Sequence, residues 1–239
     1  MKMFEHIEVF NDFTSRSAAM NMAIDEALLE KATVPLIRFY GWKSPALSFG
    51  YFGRFADVVD YAAQRALVRR WTGGGIVLHG DDLTYSVIIP RNDPVFAGSS
   101  MSIYEKIHRA LRNALAANGG RVELAAMGRD AALRRSEPQW HLRTAQRAVP
   151  TNVCFANPVS ADVMVNGQKV AGAAQRRTRS GLLHQGSIQN VDLANGLGER
   201  FAQALSTKCT ERKIDNDALK RACELAEQKY GTDGWLRKR

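Results

Sequence analysis

Three separated stretches of the 239-residue chain carry side chains able to handle an acyl or phosphoryl group. The first, "RRWTGGGIVLHGDDLTYSVII" from Arg69 to Ile89, sets Gly73, Gly74 and Gly75 between Arg70–Thr72 and His79. Glycines weaken a strand, because they lose the most backbone entropy on folding and pack no side chain. What they supply is room: backbone N–H groups approach a ligand closely where no Cβ intervenes. No Lys-Ser/Thr pair and no helix follows, so this is neither a Walker A loop nor a dinucleotide fingerprint. The plainer reading is a loop joining two strands. The second stretch, "GQKVAGAAQRR", holds Lys169 among Ala171, Gly172, Ala173 and Ala174, with Gln175 beyond. A lysine with such small neighbours can hold a carboxylate or phosphate, or polarise a carbonyl. Its plainer reading is a solvated side chain beside a turn. The third, "TNVCFANP", sets Cys154 among polar and turn residues, where a nearby cation such as Lys169 would favour the thiolate. An inert buried thiol is the alternative. His79 and His184 are candidate hydrogen-bonding groups, and Asp82, beside Asp81, reads as a turn residue.

The elements that must position these groups alternate in type. Ser15–Lys31 reads as a helix capped by Ser15 or Ser17, with Met20, Ile24 and Leu28 at helical spacing. "LIRFYGW", "ALSFGYF", "LVRR" and "LTYSVIIP" read as strands, and "ADVVDYAAQRA" between them as a short amphipathic helix. In "SIYEKIHRALRNALAANGG", Ile103, Ile107, Leu111 and Leu115 repeat every four residues, and Gly119–Gly120 end the helix. The basic, aperiodic run from 128 to 150 reads as a long surface loop able to act as a lid. Asn166–Gly167, between two alternating runs, predicts a hairpin with a type I′ turn, which puts Lys169 just past that turn. "GLLHQGSI" is a further strand, and from Leu193 onward the sequence reads as helical and polar. The expected class is α/β (α+β): a mixed central sheet flanked by helices. The expected organisation is one catalytic domain, 1–192, on which a C-terminal helical extension, 193–239, packs.

Composition narrows the partners. At 45% hydrophobic and 24% charged residues, the chain is large enough to bury a core without disulfides or metal. Three cysteines, an odd number with no CxxC pair, speak against a disulfide framework and a structural zinc site. The N-terminus lacks the apolar core of a signal peptide, and no run approaches the length of a membrane span. The expectation is a cytoplasmic protein that holds no metal and contacts no membrane. A net charge of +9 calls for an anionic partner. Nucleic acid fits poorly, since Arg134, Arg135, Arg176 and Arg177 fall in distant segments without a recognition motif.

Together the quoted motifs resemble the lipoate–protein ligase and octanoyltransferase family, which shares its catalytic fold with biotin–protein ligases. "RRWTGGGIVLHGDDLTYS" is similar to the family's Arg-Arg-x-Thr-Gly-Gly-Gly segment, with Gly80 where ligases often carry Asp. "GQKVAGAAQRR" and "GLLHQGSI" resemble its lysine segment and later His-Gly-Ser strand, and "NMAIDEALL" its N-terminal helix. The resemblance runs in order from about Asn21 to Ile188. It implies a slot for a medium-chain acyl group lined by Arg70, Thr72, Gly73–Gly75, His79, Gly172–Ala174, Gln175 and His184.

The resemblance also leaves two mechanisms. In the cysteine-dependent branch, Cys154, in the "CF" loop ahead of the lysine segment, takes the acyl group as a thioester while Lys169 assists. The donor is then an acyl carrier protein, and the acceptor a lysine on a lipoyl domain, either the glycine cleavage H protein or a 2-oxoacid dehydrogenase E2. Such partners are typically acidic. No cofactor is needed, and a monomer suffices. In the ligase branch, ATP and Mg activate free lipoate as an adenylate held at Lys169, and Cys154 is a bystander; Gly75 is the glycine ligases carry at that place. A relative that binds acyl groups without turnover is the remaining alternative.

Overall fold

The computed structural model describes residues 2–116, 121–126, 158–193 and 196–238. The expected lid loop, the Gly119–Gly120 helix stop and Cys154 all lie outside the described residues. Strand β1 (Phe4–Asp12) leads to helix α1 (Ala18–Lys31), whose Ser17 cap accepts a hydrogen bond from the Met20 N–H. Then come β2 (Leu36–Tyr40), β3 (Ala46–Phe49), β4 (Ala66–Arg69), β5 (Ile76–His79) and β6 (Leu83–Pro90). The stretch expected as a short helix before β4 is instead two 3-10 turns, Phe55–Asp57 and Val59–Tyr61. Paired β-branched Val58–Val59 flanked by Asp57 and Asp60 are poor material for an α-helix. Helix α2 (Ser100–Ala116) buries Ile103, Ile107, Leu111 and Leu115, the predicted stripe.

The second half contributes β7 (Val122–Leu124), β8 (Val163–Val165), β9 (Gln168–Arg177) and β10 (Gly181–Ile188). Asn166 and Gly167 adopt φ of 50° and 79°, the paired left-handed residues of a type I′ turn, so the β8–β9 hairpin forms as expected. The tail is not purely helical: α3 (Leu197–Leu205) is followed by β11 (Ser206–Glu211), then α4 (Asn216–Leu225) and the short α5 (Asp233–Leu236). β11 lies parallel to β1 at the edge of the main sheet.

The main sheet is mixed, in the order β11-β1-β2-β6-β10-β9-β8-β7, and a second sheet runs β4-β3-β5. Successive strand residues alternate faces, which separates two cores. Val87 and Leu182 join α2 and α3 on one face; Ile88 and Leu183 join α1 and α4 on the other. Helix α1 is buried on nearly every side, and its polar Asn21 and Asp25 are among the enclosed residues. They meet the fully buried Arg38, whose guanidinium donates to Asp12, Asp25 and Asn21 at 2.8–3.1 Å. A buried arginine is tolerable because every donor finds an acceptor and both carboxylates balance it. The α1 face is also where the small sheet packs, and the seam between the two sheets holds the site. Among the described residues, no helix is long and apolar enough to cross a membrane.

Candidate active site

A narrow slot opens between the two sheets. The small sheet contributes Ser48, Val77 and His79, with Arg70 and Gly74 from the adjoining loop. The main sheet contributes Tyr40, Thr84, Gln185 and Ser187 opposite Gly172 and Ala174, and α1 adds Met22. Ala173 and Gly186 border it as well, and Trp42 walls one side.

Most of the polar side chains here spend their hydrogen bonds on one another. Arg70 donates to Ser48 Oγ at 2.7 Å and to the carbonyls of Gly73 and Gly75 at 3.0 and 2.8 Å. Asp82 Oδ2 lies 2.7 Å from His79 Nδ1, and a carboxylate only accepts, so Nδ1 carries the proton. His79 Nε2 is then the acceptor for Ser48 Oγ, 2.6 Å away. Thr84 and Ser187 hydroxyls each donate to Asp82 Oδ2 at 2.8 Å. Burial pushes the Asp82 carboxyl up, but the hydrogen bonds from His79, Ser187 and Thr84 prevail and hold it below the usual carboxylate range. Burial, opposed by Asp82, keeps His79 below its usual value and therefore neutral near pH 7. The Trp42 ring stacks on His79 at 4.0 Å and fixes its plane. With polar heads satisfied this way, the surface left to a ligand is largely apolar, which suits an alkyl chain.

Lys169 sits at the Gly172 end. Its amine lies 2.7 Å from Asp162 Oδ2, both groups buried. Asp162 also accepts from Tyr104 Oη at 2.6 Å and the Val159 N–H at 2.7 Å. The pairing of β8 with β9 shifts register at Val163/Met164, and this brings Lys169 to the face of Gly172. A Cβ on Gly172 would stand 2.8 Å from Lys169 Nζ. Ala161, with φ of 66°, holds a left-handed conformation costly for alanine and sets the direction of Asp162.

Several residues expected to line the slot do other work. Thr72 donates to Gln185 Oε1 at 2.8 Å and ties the glycine loop to β10. Gly73 and Gly75 present carbonyls to Arg70 rather than open wall, and Gly74 alone of the three borders the slot. Gln175 and His184 face each other across β9 and β10, one position out of phase with Ala174 and Gln185. Strand alternation therefore turns them to the opposite face. There Gln175 Nε2 hydrogen-bonds His184 Nδ1 at 3.0 Å, and His184 packs among Tyr85, Tyr104 and His108. Cys209 and Cys223 are exposed. Asp82, read as a turn residue, is instead the acceptor on which three side chains converge. Its sequence signal was the alternation of Asp82, Thr84 and Ser86, polar residues on one face of a buried strand. Ser48 carried a similar signal inside apolar "ALSF"; Asp162 carried none.

The lipoyl protein ligase A/B catalytic domain family matches residues 17–229. The structure of lipoate-protein ligase A bound with ATP superposes with a TM-score of 0.71 at 20% identity, covering 97% of this chain and 98% of that one. A bipartite lipoate protein ligase from Thermoplasma acidophilum, solved with its E2 lipoyl domain, gives 0.67 at 18% identity over 98% and 96% of the two chains. These share the fold. In sequence, octanoyltransferase LipM of Oceanobacillus iheyensis is 36% identical over 214 residues, 85% of this chain and 72% of that protein. LipM of Symbiobacterium thermophilum is 32% identical over 94% of this chain and 96% of its own length. For LipM of Bacillus subtilis the identity is 37%, over 75% of this chain and 64% of that protein. With its motifs in order, its fold shared and most of its length matched, the chain belongs to the lipoyl protein ligase A/B catalytic-domain family.

Proposed function

We propose that this protein is an octanoyltransferase of protein lipoylation, working through a Cys154 thioester. The observation that carries the reading is the sequence kinship with octanoyltransferase LipM, at 32% identity over nearly the whole of both chains for the Symbiobacterium protein. The apolar slot with a buried Lys169–Asp162 pair at one end supports it. The Cys154 thiolate attacks the carbonyl carbon of an octanoyl thioester on an acyl carrier protein, and the carrier thiol leaves. The amine of a lipoyl-domain lysine then attacks the new thioester, forming the amide and returning the thiol to Cys154. Lys169 stabilises the negative charge that develops on the carbonyl oxygen in both steps. Gly74, Gly172, Ala174 and Val77 pack the alkyl chain, and Arg70 and His79 hold the slot's end. Neither step draws on a cofactor. The reaction is placed in the cytoplasm, and among the described residues one chain lines the slot, which fits a monomer.

The test is the intact mass of the protein after mixing with octanoyl-carrier protein in the absence of ATP. An octanoyl adduct that hydroxylamine removes and that Cys154→Ala lacks is the expected result. Lipoyl-domain modification that appears only with free lipoate and ATP would replace this reading with the ligase mechanism.

A further inference from the structure

The transfer assigns the slot, Cys154 and Lys169, and leaves one ordered array in the slot with no chemical part. Ser48 Oγ, His79 and Asp82 are linked at 2.6 and 2.7 Å, with the hydroxyl on the slot wall and the carboxylate behind it. We propose that Ser48, His79 and Asp82 form a second acyl-handling centre, a hydrolytic one, that cleaves medium-chain acyl esters and thioesters through a Ser48 ester. The acyl class rests on the function proposed above; the nucleophile rests on the geometry alone.

Such a triad is recognised by geometry and roles rather than by sequence order. The donors run one way, from the Ser48 hydroxyl to Nε2 and from Nδ1 to Asp82, which is the tautomer a general base requires. Asp82 is held by two further hydroxyls and stays ionised, and the Trp42 stack keeps the imidazole plane aimed at Ser48. Burial keeps the imidazole neutral, so Nε2 is free to take a proton. The Arg70 guanidinium donates to Ser48 Oγ at 2.7 Å and holds the hydroxyl in place. A cleft on the outer side reaches both His79 and Asp82, past Arg65 and Asp81, and gives solvent a second approach. A seam that only joined two sheets would need none of this directionality.

In the first step Ser48 Oγ bonds to the acyl carbon while its proton passes to His79 Nε2. The carbon–sulfur or carbon–oxygen bond breaks, and the leaving thiol or alcohol takes that proton. Water then attacks the same carbon, giving a proton to His79. The carbon–Oγ bond breaks, the proton returns to Ser48, and the free fatty acid departs. Atoms balance with water as the sole co-reactant.

The assay uses Cys154→Ala protein and p-nitrophenyl octanoate, so the proposed transfer nucleophile is absent. Turnover above the buffer rate is expected, with a loss of about tenfold or more on adding Ser48→Ala or His79→Gln. A second measurement needs no variant in the array: a fluorophosphonate should add its mass to the Ser48 peptide of the otherwise unmutated protein, and octanoate should block it. Turnover no faster than buffer, turnover unchanged by Ser48→Ala, or an unlabelled Ser48 peptide would each overturn the proposal. Neutral hydroxylamine cleaves a Cys154 thioester and spares a Ser48 oxyester, so the two adducts are read separately.

Discussion

Lys169 and Gly172 stand three positions apart on β9, which on a regular strand would put them on opposite faces. The register shift against β8 brings them together, and the missing side chain of Gly172 is what lets the amine lie there. An alanine Cβ would sit 2.7 Å from Lys169 Cε and 2.8 Å from Nζ. Because the obstructed atoms are the end of a flexible side chain, Gly172→Ala should fold normally yet displace the amine. Losing one donor to a developing oxyanion costs about 10²–10³ in rate. We expect Cys154 octanoylation to slow by about that factor while the free energy of unfolding changes by less than about 1 kcal/mol. An unchanged rate would remove Lys169 from the chemistry. Residues of this kind were readable where a rare side chain sat among small ones, as with Lys169. Asp162 was not readable, because its meaning depends on a lysine, a tyrosine and a strained alanine that only folding assembles.

At the scale of elements, a backbone crossing explains the glycine at Gly50, while within the run Gly74 is held at a φ of 85° that favours glycine. Gly50, just past β3, lies against the loop between β4 and β5: a Cβ there would meet Gly74 O at 2.1 Å and Gly73 C at 2.7 Å. Backbone cannot step aside as a side chain can, so Gly50→Ala must push the loop, and with it Gly74 and the Arg70 anchor. Overpacking of this sort costs about 1–3 kcal/mol. Gly73 has open space where its Cβ would be, so Gly73→Ala should leave stability within about 0.5 kcal/mol. Denaturant midpoints of the two variants check the ranking; equal losses would show that the crossing is not what the loop needs. The strands with strong alternation or dense β-branching, β6 and β10, were legible to the residue, as was the Asn166–Gly167 hairpin. β11 was not. "STKCTE" keeps only Ser206 buried and has no apolar face, because it is an edge strand held by backbone pairing to β1.

At the scale of the whole molecule, charge acts in two separate ways, one inside and one outside. Inside, burial drives His108 down to about 4 and lowers His184 and His79 as well. An unfolded histidine titrates near 6.5, so between roughly pH 6.5 and 4 the unfolded chain takes up protons that the folded one refuses. Stability is therefore whole above pH 6.5 and falls as pH drops through that window, by up to about 1.4 kcal/mol per pH unit for each such histidine. Urea midpoints at pH 7.5 and 5.0 should differ accordingly, and His184→Gln, which keeps a hydrogen-bonding group opposite Gln175, should narrow the difference. Outside, the +9 chain gathers cations and aromatic rings beside the slot. Arg176 lies over Tyr51 and Trp71, Lys229 over Trp71, and Lys238 over Tyr51 and Trp235, with Phe52 next to them 83% exposed. Ala174 and Gly74 border the slot, so Arg176 and Tyr51 sit at its rim. A positively charged rim concentrates an acidic carrier or acceptor domain and speeds encounter, by a route that salt screens. Acylation of an acidic lipoyl domain should then lose about tenfold in kcat/KM between 0.05 and 0.5 M NaCl. Octanoylation of Cys154 by a small uncharged thioester, which needs no steering, should hardly change over the same range. If both reactions respond to salt alike, the charge acts on the site itself rather than on docking; if neither does, the rim plays no part in recruiting its partner.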